Sequence, residues 1–73
     1  MKAAYADLMQ GLDAARKERL RRAQTAWQRY RDLQSEFVAD AYRGGSLEAL
    51  IRTTTRAELT EARARELRTL IGP

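Results

Sequence analysis

Asp32, Glu36 and Asp40 stand four residues apart in series, so a helix would carry them as one acidic stripe. Closely set carboxylates can bind a divalent cation or share a proton. Like charges at this spacing also repel, so neutralising cations are expected nearby. Arg52 and Arg56 would reach the stripe from a facing helix, which makes it a structural feature before a metal site. A second constellation is Trp27 with Arg31, spaced for a guanidinium to lie over the indole. Trp27, the only tryptophan, sits on an apolar face and is expected in the core. Gln24 shares that face and needs a partner if buried, with Glu66 or Arg63 opposite. Arg31, Asp32, Glu58 and Arg63 could form a polar cluster that fixes the register of two helices.

The rest of the side-chain inventory narrows the chemistry. There is no histidine, the commonest general base and metal ligand, and no cysteine for a disulfide or thiolate. No catalytic constellation emerges, so the chain is read as no enzyme, with no cofactor and no metal. Its charge of +4 is uneven. Residues 1–31 carry eight Lys/Arg and three acids, whereas residues 32–73 carry six Arg and seven acids. The basic segment 16–31, with Arg16, Lys17, Arg19, Arg21, Arg22, Arg29 and Arg31, could attract phosphate. A nucleic-acid interface is nevertheless disfavoured, because no helix-turn-helix or RNA-binding motif accompanies it and the second half is acidic. The plainer reading is a solvated helix face. A membrane-surface role would need the apolar side of residues 14–31, which helix packing claims. No apolar run approaches the roughly 20 residues of a transmembrane helix. The N-terminus lacks a signal-peptide h-region, so an exported form of this chain would be a processed one.

These residues must be positioned by helices. Periodicity is helical throughout, Ala, Leu, Arg and Glu dominate, and the only proline is Pro73. The expected architecture is all-α: an antiparallel helical hairpin with a short N-terminal helix, forming a small bundle in a single domain over residues 1–73. The helices are expected at about 2–10, 14–42 and 47–71. Tyr5, Leu8, Met9 and Leu12 form the apolar stripe of the first. Gly11 suits a left-handed cap and Asp13 an N-cap for the second helix, although a continuous helix stays open. On the second helix Leu20, Ala23, Trp27, Tyr30, Gln34, Phe37, Val38 and Ala41 read as one broad buried face. Glu18 and Arg22 form an exposed i,i+4 pair. Gly44-Gly45-Ser46 is the clearest break, with Ser46 as N-cap of the third helix and Glu48 in its first turn. The third helix drifts from the phase of Leu47, Leu50 and Ile51 to that of Leu59, Ala62, Leu67, Leu70 and Ile71. Thr60 could start a fresh helix there, but one continuous helix is preferred. The short turn makes the pair antiparallel, with facing residue numbers summing to about 90 at about 1.5 Å rise per residue. Leu20 then faces Leu70, Trp27 faces Arg63, Arg31 faces Glu58 and Leu59, and Val38 faces Ile51. The stripe of the first helix is left to fold back on the hairpin or to meet a second chain, so a homodimer is a further expectation.

Leu20, Ala23-Gln24, Ala26-Trp27, Tyr30, Arg31-Asp32, Gly44-Gly45-Ser46, Leu59-Thr60, Arg63 and Glu66-Leu67 together resemble the family of small bacterial envelope domains named after the lysozyme inhibitor LprI. Its pattern is a leucine, an A-Q-x-A-W core, an aromatic, Arg-Asp, a glycine turn and L-T-x-x-R-x-x-E-L. The resemblance implies mainly structural roles for Gln24, Trp27, Tyr30, Arg31, Asp32, Gly45, Thr60, Arg63 and Leu67. It implies a non-catalytic protein-binding domain, periplasmic or secreted, with a lysozyme as the suggested partner. A basic lysozyme would be repelled at long range by the charge of +4, and only the Asp32, Glu36 and Asp40 stripe offers it a complementary patch. The family carries cysteines where this chain has Ser35 and Thr55 (or Thr54). Positions 35 and 55 fall at one level of the hairpin, so the resemblance implies an inter-helix disulfide in relatives and its loss here. A self-associating structural module and a nucleic-acid binder through residues 16–31 are the alternative functions.

Overall fold

The computed structural model describes residues 1–71. Three helices follow in order: α1 (Lys2–Gln10), α2 (Ala14–Asp40) and α3 (Leu47–Leu70). No strand occurs among the described residues. The molecule is elongated, 47 × 20 × 14 Å. α2 and α3 form the antiparallel hairpin, and α1 folds back against α3. The apolar stripe of α1 is therefore covered within the chain. Ala4 and Leu8 meet Ala64 and Leu67 there, with Met1, Tyr5, Leu12 and Leu20 packed around them.

The break between α1 and α2 is real, but only half of it forms as expected. Asp13 caps α2, its carboxylate accepting from the Arg16 N–H at 2.8 Å. Gly11 is not left-handed, lying at φ −88° and ψ 2°, with its N–H donating to the Leu8 carbonyl. α2 ends at Asp40, two residues short of the expected bound, because the chain tightens into three-residue hydrogen bonds. Tyr42 N–H donates to Ala39 at 2.9 Å and Arg43 N–H to Asp40 at 3.1 Å. The reversal itself falls on Gly44 at φ +83°, a conformation that costs other L-residues. Ser46 does not cap α3 with its side chain. Its backbone is already helical (φ −68°, ψ −17°), whereas a capping hydroxyl needs an extended backbone. α3 then runs unbroken through Thr60, whose hydroxyl donates to the Arg56 carbonyl at 2.8 Å.

The buried face of α2 is rotated from the one expected. Leu20, Trp27, Arg31, Gln34 and Val38 are half-buried, and Gln24, Ser35 and Ala39 are buried. Ala23, Tyr30, Phe37 and Ala41 are exposed, as is Leu33. On α3 the seam runs through Glu48, Ile51, Arg52, Thr55, Leu59, Arg63, Ala64 and Leu67, while Leu47, Leu50, Ala62, Leu70 and Ile71 are exposed. Small side chains explain the rotation. Ala39 is fully buried and Ser35 nearly so, and residues of this size let helix axes approach closely. Phe37 would hold them apart.

Candidate functional site

The centre of the hairpin is a polar clamp built on Trp27. The Arg31 guanidinium carbon lies 5.1 Å from the indole centroid, and that of Arg63, arriving from α3, lies 5.9 Å from it. Both arginine side chains are largely covered, at 15% and 10% exposure, so these contacts act with little competing water. Arg63 Nε donates to Gln24 Oε1 at 3.2 Å and also pairs with Glu66. Gln24 Nε2 reaches the Met1 sulfur at 3.7 Å, which ties the start of the chain to the hairpin. Arg31 Nε donates to Asp32 at 2.9 Å. The expected cluster thus assembles without Glu58, which is exposed.

Along the hairpin the acidic stripe meets a basic one. Arg56 Nη2 lies 3.6 Å from Asp32, Arg52 Nε lies 2.6 Å from Glu36, and Arg43 Nη1 lies 3.8 Å from Asp40. Arg52 also lies 3.6 Å from Glu48 on its own helix. Glu36 foremost, and then Glu48, holds the Arg52 guanidinium above its already high ordinary range. Two of the three carboxylates are therefore answered across the helix pair and the third from the turn. No group of three or more ligands suited to a metal ion occurs among the described residues.

The remaining motif positions divide by burial. Leu67 is fully buried at the contact of α1 with α3. Thr60 is half-buried and Tyr30 is 51% exposed, which leaves its ring outside the clamp. Gly45 has an ordinary backbone, and a Cβ there would sit 3.4 Å from the Tyr42 carbonyl, an ordinary contact. The conformational demand falls on its neighbour Gly44. Ser35 is buried, its hydroxyl donating to the Arg31 carbonyl at 2.7 Å, so a polar group stands inside the seam and is satisfied. Thr55 is half-buried and Thr54 exposed.

The clamp, the turn and both packing faces of the core fall within one known family. The model of the lysozyme inhibitor LprI family matches residues 1–67, which takes in all three. The chain belongs to the LprI family. This LprI-family chain is also 44% identical, over 54 residues, to an uncharacterized protein of Rhizobium meliloti (strain 1021). That stretch is 74% of this chain and 39% of the relative, so the match spans about two fifths of the relative's length. No solved structure matches. No helix among the described residues is long and apolar enough to cross a membrane.

Proposed function

We propose that this chain is a non-catalytic protein-binding domain of the bacterial envelope whose partner is a lysozyme. The observation that carries the reading is the family match over residues 1–67, which covers nearly the whole chain. The chain's own chemistry supports binding over catalysis. Its arginines and carboxylates face one another in ion pairs and stacks, and it has no histidine or cysteine. The family match supports envelope placement, which accords with an inhibitor that must meet its enzyme outside the cytoplasm.

Asp32, Glu36 and Asp40 are the proposed contact with a basic partner. Each remains at least half exposed despite its internal cation, at 51%, 58% and 64%. A partner's Lys or Arg can therefore join or replace Arg43, Arg52 or Arg56 at the carboxylates. The net charge of +4 opposes a basic lysozyme at long range, so attraction must come from this local patch. Calorimetry of the chain against a panel of lysozymes, with cell-wall lysis assayed alongside, tests the proposal. The expected result is micromolar or tighter binding with inhibition, weakened at least tenfold in Kd by the triple variant D32N/E36Q/D40N. Absence of both heat and inhibition at moderate salt would overturn it.

A further inference from the structure

The outer face of α2 carries an apolar seam that the hairpin leaves uncovered. Ala23, Ala26, Tyr30, Leu33 and Phe37 follow one another at alternating steps of three and four residues, and all are exposed. Tyr30 is 51%, Leu33 59% and Phe37 75% exposed. Such spacing is the seam of a helix that packs lengthwise against another helix. Contiguous exposed apolar rows of this kind mark interaction surfaces, whereas single exposed residues do not. The charge beside the seam changes sign along its length. Arg22 and Arg29 flank its first half, and Glu36 and Asp40 flank its second on the same side.

From these features we infer that α2 pairs with α2 of a second copy of this chain, antiparallel and about a two-fold axis. A surface with its cations at one end and its anions at the other is complementary to itself only when reversed. With facing residue numbers summing to about 63, Tyr30 meets Leu33 and Ala26 meets Phe37, each twice, in a knobs-into-holes seam. At the same register Arg22 comes level with Asp40 of the second copy, and Arg29 with its Glu36. The Phe37 ring of the second copy then arrives at the level of Ala26, whose small, exposed side chain leaves room for it. The α1 stripe packs against α3 within the chain, whereas the α2 seam is exposed along its whole length.

The test is sedimentation equilibrium of the full chain and its variants, with helicity checked by circular dichroism. The wild type should show a reversible monomer–dimer equilibrium. Phe37→Glu should weaken it at least about tenfold without loss of helix, because Phe37 is 75% exposed in the monomer. Arg22→Glu and Asp40→Arg should each weaken it, and the double variant R22E/D40R should restore it. These two positions lie 18 residues apart on one helix, about 27 Å, and cannot meet within a single copy. A wild-type chain that stays monomeric at millimolar concentration would overturn the inference. So would a dimer indifferent to Phe37→Glu, or a charge swap that fails to rescue. Glu36 and Asp40 belong to both proposed surfaces, so the two readings are separated by Phe37, which lies off the carboxylate stripe, and by reading self-association and lysozyme binding in separate assays.

Discussion

Arg63 has 10% of its side chain exposed and serves three neighbours at once: the Trp27 ring, the Gln24 carbonyl oxygen and the Glu66 carboxylate. Its guanidinium is the only protein donor in hydrogen-bond contact with the buried Gln24 oxygen among the described residues. Arg63→Met keeps the aliphatic stem and removes those donors. The amide would then be buried with its oxygen unanswered, which typically costs about 1–3 kcal/mol. Urea unfolding should show that loss, and indole fluorescence should shift as the ring loses one cation. The double variant R63M/Q24L should recover part of the stability, since removing both partners of a buried pair is milder than removing one. An Arg63→Met variant as stable as the wild type would mean that the clamp contributes nothing net. The sequence made this pair legible, because Gln24 on an apolar face needed a partner and the hairpin register put Arg63 near it. Tyr30, four residues before Gln34, was not legible in the same way. Its type suits a core, and only the three-dimensional packing leaves it outside.

At the level of elements, helix positions and pairing could be read from breaks and charge, and faces could not. The Gly44-Gly45 turn and the capping Asp13 set the helix limits, and the ion pairs of Asp32 with Arg56 and Glu36 with Arg52 fall close to the register expected for the hairpin. The face of α2 was ambiguous for a physical reason. Two stripes run along it, one through Leu20, Gln24, Trp27, Arg31, Ser35 and Val38, the other through Ala23, Ala26, Tyr30, Leu33 and Phe37. The second is the more apolar, yet the first is buried, because its small and flexible members allow close approach of α3 and bring the arginines to Trp27. The core alanines Ala4, Ala39 and Ala64 escaped notice because alanine periodicity in a helix-rich chain carries little contrast. The turns themselves separate cleanly by substitution. Gly44→Ala forces a Cβ into φ +83° and should destabilise by about 1 kcal/mol. Gly11→Ala meets nothing closer than 3.9 Å at an ordinary φ and should be neutral or stabilise by up to about 1 kcal/mol, through the unfolded chain. Chemical denaturation midpoints moving in opposite directions would bear this out.

The whole molecule is a thin rod whose core holds a single large, fully buried apolar side chain, Leu67, among the described residues. A domain of this size ordinarily gains stability from cross-links that a small core cannot replace. The seam between α2 and α3 has instead a buried, self-satisfied Ser35 and a series of ion pairs, which are worth little when solvent-exposed. Position 35 points into the seam, and the level of position 55 lies opposite in a register that the Trp27–Arg63 contact supports. Ser35→Cys with Thr55→Cys should therefore close a disulfide on oxidation. The ring would span about 20 residues, and restricting the unfolded chain by that loop is worth about 3 kcal/mol. For a domain of this length, that gain should raise the melting temperature of the oxidised form over the reduced form by more than about 10 °C. Ser35→Cys with Thr54→Cys is the control, because Thr54 is exposed and turned from the seam, and it should cross-link poorly. Efficient closure through 54 and not 55 would place α3 one residue out of the register described. Closure through 55 without added stability would instead mean that the pairing of α2 with α3 survives in the unfolded ensemble, leaving the cross-link little chain entropy to remove.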